Sequence, residues 1–199
     1  MTRLFMYRLS DDTGLAPCVQ DGLLSLAVCK GGQIRNGKSI NTGLRYWIGS
    51  RFATDYKKDK VYILGTYHNK FLFIANITEV MTMEEYYHGK SKNRLDNLYS
   101  LNEGSLHRNR FLFKEGIHTQ EQVLRDIAGK YVLLSDEYIY LGRDAIANNL
   151  INKYGAKTRE TKEYTGKIAE KIINECEQYR DYKVHFPHNP LSNCCGASK

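Results

Sequence analysis

The sequence predicts an α+β domain: a mainly antiparallel, curved sheet or small open barrel, with short inserted helices and two C-terminal helices. Three observations lead there. Apolar runs of strand length alternate with turn-forming clusters over the first two thirds of the chain. Capping-box spacings interrupt that pattern at only two places. The last third changes to a helical period, with apolar residues every three to four positions.

Residues 4–9 form the first strand-length run, closed by the turn cluster Ser10-Asp11-Asp12-Thr13-Gly14. Residues 23–29 form the second, closed by Gly31-Gly32. Residues 45–50 read as a third strand, with Tyr46 and Trp47 on opposite faces. Residues 61–67 and 70–77 flank His68-Asn69, the spacing of a tight hairpin. A second hairpin is expected from residues 131–134 and 138–141 around Ser135-Asp136-Glu137. Short helices are expected after Thr82, with Glu85 three residues on, and after Thr119, with Gln122 three residues on. Residues 143–154 and 160–182 read as the two C-terminal helices, separated by Gly155. The expected division is therefore a domain over 1–142, helices packed on it over 143–183 and an irregular tail over 184–199.

With 199 residues, 42% hydrophobic and 26% charged, the chain suits one ordinary globular domain, and wholesale disorder is excluded. No apolar run approaches the roughly 18 residues that span a bilayer, so a membrane partner is not expected. The first residues lack the apolar core and cleavage site of a secretory signal. Five cysteines without regular spacing suit a reducing, cytoplasmic setting better than a disulfide scaffold. The formal net charge of +7 and fifteen tyrosines favour a nucleotide or nucleic-acid partner, since tyrosine joins a stacking face to a polar tip.

The strand-ending segments carry a family resemblance. Tyr-Arg-Leu-Ser-Asp-Asp-Thr-Gly-Leu-Ala-Pro at 7–17 is similar to the opening signature of the nucleotide modification associated domain 2 proteins. Leu-Ser-Leu-Ala-Val-Cys-Lys at 24–30 and Tyr-Trp-Ile-Gly-Ser at 46–50 resemble its next blocks. The segments 73–86, 96–99 and 132–142 resemble the remaining three. Gly31 stands where the family commonly has proline, and residues 41–44 replace a common Gly-Asp. The six blocks cover about residues 2–142. The resemblance implies an association with nucleotide and DNA-base modification systems of phages and bacteria, without specifying a reaction. A separate likeness in element order, to PUA-like barrels that hold modified bases, is analogy only.

Candidate site residues follow from chemistry and placement. Asp11 and Asp12 sit where a strand gives way to a glycine turn, suited to acid/base or ribose contacts, although aspartate also caps such turns. Residues 30–60 hold eight basic residues, among them Lys30, Arg35, Arg45 and Arg51, against Asp55 and Asp59. Glycines interleave them, so backbone amides and cations together suit phosphate; no Walker or dinucleotide-binding spacing is present. Ser50 ends the Trp47 segment. One of Tyr46 and Trp47 is expected in the core, more simply Trp47, and the other at a cavity where a base stacks. Asp96, Asn97, Tyr99 and His107 lie close in sequence and combine acid/base groups with base-edge readers. Tyr138 and Tyr140 alternate along one strand and share a face, as a stacking platform or a half-buried edge. In the tail, His185, His188, Cys194 and Cys195 offer soft ligands, but adjacent cysteines chelate one metal poorly, and no metal site is expected.

Two readings compete. The first is an enzyme working by Asp/His acid/base chemistry, with Asp11, Asp96 and His107 as catalytic groups. Its substrate contacts would be Asp12, Lys30, Arg35, Arg45, Trp47, Ser50, Arg51, Asn97, Tyr99 and Tyr138, and no cofactor is identifiable. The second is a non-catalytic reader of flipped or modified bases. A protein-interaction module is a third class, since charge and tyrosine also serve protein interfaces.

Overall fold

Thr2–Leu9 (β1) is the strand on which the larger sheet is organised. Phe5, Tyr7 and Leu9 enter one core while Leu4 and Met6 enter another, so β1 is buried on both faces and reads as a nearly continuous apolar run. In the computed structural model, residues 1–54, 58–103, 105–108, 120–156, 160–182 and 186–188 are described. After β1 come Cys18–Gln20 (β2), Leu23–Leu26 (β3), the ribbon Gln33–Arg35 (β4) and Lys38–Ile40 (β5), and the helix Leu44–Phe52 (α1). Lys60–Tyr67 (β6), Lys70–Asn76 (β7) and Glu79–Thr82 (β8) follow, then the helical turn Met83–Glu85 (α2), which continues as a π-helical turn over Tyr86–Lys90. Tyr99–Asn102 (β9) and Ser105–Arg108 (β10) make a second ribbon. Gln120–Ile127 (α3), Tyr131–Ser135 (β11), Glu137–Tyr140 (β12), Ile146–Ala147 (β13), Asn149–Tyr154 (α4), Thr161–Thr165 (β14) and Gly166–Glu177 (α5) complete the order.

The larger sheet runs β12–β7–β6–β1–β14, with β13 also paired to β7. The β1–β6 pair is parallel, with Phe5 opposite Ile63, and the other pairs are antiparallel. The smaller sheet runs β2–β3–β11–β8. Its face and α1 close the core around Phe5, Tyr7, Leu26, Ile48, Phe73 and Leu133. On the opposite side of the larger sheet, α4 and α5 bury Ile151, Ala169, Ile172 and Cys176 against Leu4, Met6, Leu64 and Ile74. The fold is thus α+β and mostly antiparallel, without a closed barrel among the described residues.

The β6–β7 hairpin is as expected: His68 and Asn69 both take left-handed backbone, at φ 47° and 61°. The capping box at Thr82 is present too. Thr82 Oγ1 accepts from the Glu85 amide at 3.2 Å, and Glu85 accepts from the Thr82 amide at 2.8 Å, which holds the Glu85 carboxyl below its ordinary range. Thr82→Ala is expected to cost about 1 kcal/mol, read as a lower urea midpoint; an unchanged midpoint would show that the cap is dispensable.

Four expectations need correction. Residues 45–50 are helical. Leu44, Arg45, Ile48, Gly49 and Phe52 form the buried face of α1, and the Tyr131 ring lies where a Cβ on Gly49 would stand, 2.2 Å from the ring carbon Cγ. Local β-propensity is overridden by this packing. Residues 131–141 are two strands but not a hairpin, because β11 pairs with β3 and β8 while β12 pairs with β7. The chain changes sheets at Asp136, whose amide donates to Thr78 Oγ1 at the matching corner. Residues 143–154 divide into a 3₁₀ turn over Gly142–Asp144, β13 and α4. Residues 160–182 begin as β14, whose Tyr164 pairs with Leu4 before Gly166, at φ +55°, starts α5. The second expected cap, at Thr119, lies outside the described residues.

Candidate functional site

A cavity of about 520 Å³ opens at the carboxyl end of β1. β1 and the turn after it supply Arg8, Leu9, Ser10, Asp11 and Thr13; the loop after β3 supplies Cys29, Lys30 and Gly32; Gln33 comes from β4. Thr42, Gly43, Leu44 and Trp47 come from the start of α1, Gln122, Arg125 and Asp126 from α3, and Glu160 and Thr161 from the start of β14. Pairing of β1 with β14 begins at Tyr7–Thr161, so Arg8 and Leu9 extend past their neighbour and expose the rim. The size falls within the range of small-molecule sites.

The wall is held by buried polar bonds. The loop reaches α1 at close quarters: the Gly43 amide donates to the Gly31 carbonyl at 3.2 Å, and a Cβ on Gly43 would lie 2.3 Å from Gly31. Cys29 and Lys30 adopt left-handed backbone, at φ 57° and 50°, which a β-carbon disfavours. The Asp126 carboxylate holds them by accepting from the Cys29 amide at 2.6 Å, and Asp126 in turn accepts from the Tyr99 hydroxyl at 2.8 Å. Behind the wall, the Arg45 guanidinium donates to the carbonyls of Cys29, Tyr131 and Asp126 at 2.7, 2.7 and 2.5 Å. Lys30 Nζ donates to the Arg8 carbonyl at 3.1 Å and sits 4.9 Å from the Tyr7 ring centroid.

Of the residues named from sequence, Asp11, Lys30 and Trp47 line the cavity together. Trp47 is 37% exposed, so it is the cavity residue of its pair, and Tyr46 packs on Tyr131 instead. Asp12 turns away from Asp11 into the interior. Its carboxylate accepts from the Tyr140 hydroxyl at 3.0 Å and the His188 amide at 3.0 Å, and burial raises its pKa against those two bonds. Arg45 points inward, as above. Arg51 and Ser50 lie on the exposed side of α1, where Arg51 pairs with Glu163 at 3.0 Å and covers the Trp47 ring at 5.4 Å. Arg35 stands on the exposed ribbon β4–β5.

The sequence neighbours 96–107 disperse. Asp96 is fully buried and accepts from Ser25 Oγ at 2.5 Å and from the Tyr86 hydroxyl at 2.9 Å, with Arg94 Nε at 3.5 Å. Burial lifts its pKa, while Ser25, Arg94 and Tyr86 pull the other way. Asn97 accepts from Ser91 Oγ at 2.8 Å. Tyr99 does not line the cavity and donates to Asp126, which does. His107 is exposed on β10, opposite Ser100, and does not line the cavity. Tyr138 and Tyr140 do share a face, and it is the core face.

The described lining carries three cations, Arg8, Lys30 and Arg125, beside three carboxylates, Asp11, Asp126 and Glu160, and contains no tyrosine. It is therefore mixed in charge where the sequence suggested a basic, tyrosine-rich site. Sequence reasoning missed Arg8, Arg125, Asp126 and Glu160. Asp126 alone left a signal, as a carboxylate three residues from Val123 on the apolar stripe of α3. Among the described residues no group of three His, Cys, Asp or Glu side chains is placed to hold a metal ion. Of the four tail ligands, only His188 lies within the described residues.

A search of the curated proteins finds no match, and neither does a search of the solved structures. The family model described as nucleotide modification associated domain 2 matches residues 1–194, which extends the likeness past the six blocks and through α4, β14 and α5. Built on a sheet that needs β14 to be complete and on a cavity that uses Glu160 and Thr161, the chain belongs to the nucleotide modification associated domain 2 family.

Proposed function

We propose that the cavity at the end of β1 binds a nucleotide and that Asp11 is the acid/base group acting on it. The observation that carries this reading is the combination of cations, carboxylates and a half-exposed indole within one cavity of nucleotide size. Arg8, Lys30 and Arg125 match a phosphate, Trp47 offers a stacking face, and the carboxylates match the donor edges of a base or ribose. His107 and Asp96 stand outside the cavity and take no part in the step proposed here.

Trp47 is the only tryptophan, so its fluorescence reports occupancy of this cavity directly. Nucleoside phosphates are expected to quench it, and Lys30→Ala is expected to weaken that binding roughly tenfold, the scale of one charge-assisted hydrogen bond. Absence of quenching by any nucleotide would overturn the reading. Turnover is tested by mass spectrometry of DNA and nucleotides incubated with the protein, beside Asp11→Asn.

A second reading, a reader that holds a flipped or modified base in the manner of PUA-like modules, is favoured by one observation: no histidine lines the cavity among its described residues. Binding that survives Asp11→Asn, with no new mass formed by either protein, would select it.

A further inference from the structure

The ribbon β4–β5 leaves the cavity rim and carries its own charge. Gln33 lines the cavity, and its cross-strand partner is Ile40. The next partners on that face are Arg35 and Lys38, because side chains two apart on a strand and directly opposite across a pair point the same way. Arg35 and Lys38 therefore stand on the same face of the ribbon as the Gln33 side chain, about 7 Å farther from the cavity residue. Both are exposed, and neither has an acidic partner among the described residues; Arg35 donates to Gln33 Oε1, at 3.4 Å. The turn between them, Asn36-Gly37, has φ of 51° and 71°, the tight form that fits strand twist, and nothing lies within 4 Å of a Cβ built on Gly37.

We infer that this ribbon is a phosphate-contacting arm and that the ligand of the cavity is a nucleotide within a polynucleotide strand. The inference rests on the nucleotide reading of the cavity and narrows it. Arg8, Lys30 and Arg125 are the cations that a ligand confined to the cavity meets. Two further cations beyond Gln33 are reached only by a chain that continues out of the mouth. Arg35 and Lys38 then grip the backbone phosphates next to the inserted nucleotide and fix its register, as phosphate contacts do, while the cavity reads the base.

The test compares a short fluorescein-labelled single-stranded DNA oligonucleotide, followed by anisotropy, with a nucleoside monophosphate, followed by Trp47 quenching. The wild-type protein is expected to bind the oligonucleotide more tightly than the monophosphate, with a steep salt dependence. In Arg35→Glu/Lys38→Glu, oligonucleotide affinity is expected to fall at least roughly tenfold and its logarithmic salt slope to shrink by about 1.4, near 0.7 for each lost phosphate contact. Monophosphate quenching should be unchanged, which also shows that the variant is folded. The neutral pair Arg35→Gln/Lys38→Gln is expected to fall between. If monophosphate binds but the oligonucleotide gains nothing, or if the charge reversal leaves it unaffected, the arm is overturned and its charges only keep a ribbon edge soluble. If the wild type binds neither, the nucleotide reading itself fails.

Discussion

Arg45→Met is expected to lower stability by on the order of 4 kcal/mol, a large part of what holds a domain of this size together. Arg45 is fully buried in the first turn of α1, yet it serves three other segments. Its donors meet the carbonyls of Cys29, Tyr131 and Asp126, in the loop after β3, in β11 and in α3. A thioether fills the volume but takes the guanidinium donor from the Cys29 and Tyr131 carbonyls, at roughly 1–3 kcal/mol each before relaxation, and leaves the Asp126 carbonyl with the Gly129 amide alone. Gly129 permits the arrangement, since a Cβ there would stand 2.6 Å from Arg45 Cζ. Arg45→Lys should recover only part of the loss, because one ammonium does not span three diverging carbonyls. Urea unfolding checks both variants. A loss under about 1 kcal/mol for Arg45→Met would place it among ordinary surface changes and refute this account.

Asp96→Ala is expected to be as damaging, on the order of 3–5 kcal/mol, because it leaves the buried donors of Ser25, Tyr86 and Arg94 without the acceptor they share. Arg94 is 7% exposed, and its other contacts are neutral: the carbonyls of Cys18, Gln20 and Leu23, Ser25 Oγ, and the Tyr86 hydroxyl. The same environment pushes the Cys18 thiol up to about 12, chiefly by burial. For Asp96, burial outweighs the bonds it accepts, so the folded chain holds the Asp96 proton more tightly than the unfolded chain does. Its contribution to stability is greatest below the ordinary aspartate range, declines as pH rises through the raised value, and is level above it. Asp12 has the same sign. Wild-type urea midpoints across the acid range should carry this decline on top of the effects of other groups, and Asp96→Ala should remove its share. An identical pH dependence in wild type and variant would sink the assignment.

The β6–β7 hairpin and the Thr82 cap were legible because each is set by a few adjacent residues with one geometric solution. The partners of β11 and β12 were not, because the corner at Asp136 is made by Thr78, far away in sequence. The helix α1 was hidden by its own chemistry: an arginine and a glycine occupy its buried face, so no apolar stripe marks it. β14 was hidden by period, since Tyr164 falls in phase with the apolar positions of α5. At the cavity, Asp11 and Lys30 were identifiable from turn and charge chemistry, whereas Trp47, more simply expected in the core, is half-exposed on the lining because Tyr46 takes the place against Tyr131. Arg8, Arg125 and Glu160 look like solvated charges until the fold brings the ends of β1, α3 and β14 together. Asp96 and Arg45 showed the reverse: polar residues that suggest chemistry are enclosed and serve the fold.

The position of β1 has a consequence for synthesis. β1 is made well before its neighbours β6 and β14; Arg3 waits for Thr165. Until β14 is made, one edge of an eight-residue apolar strand remains open, and the cavity lacks the Glu160 side of its wall. Closing such distant pairs is slow, and an open strand edge invites pairing with other chains. The wall of the cavity and the cover over the edge of β1 are therefore completed by the same late step.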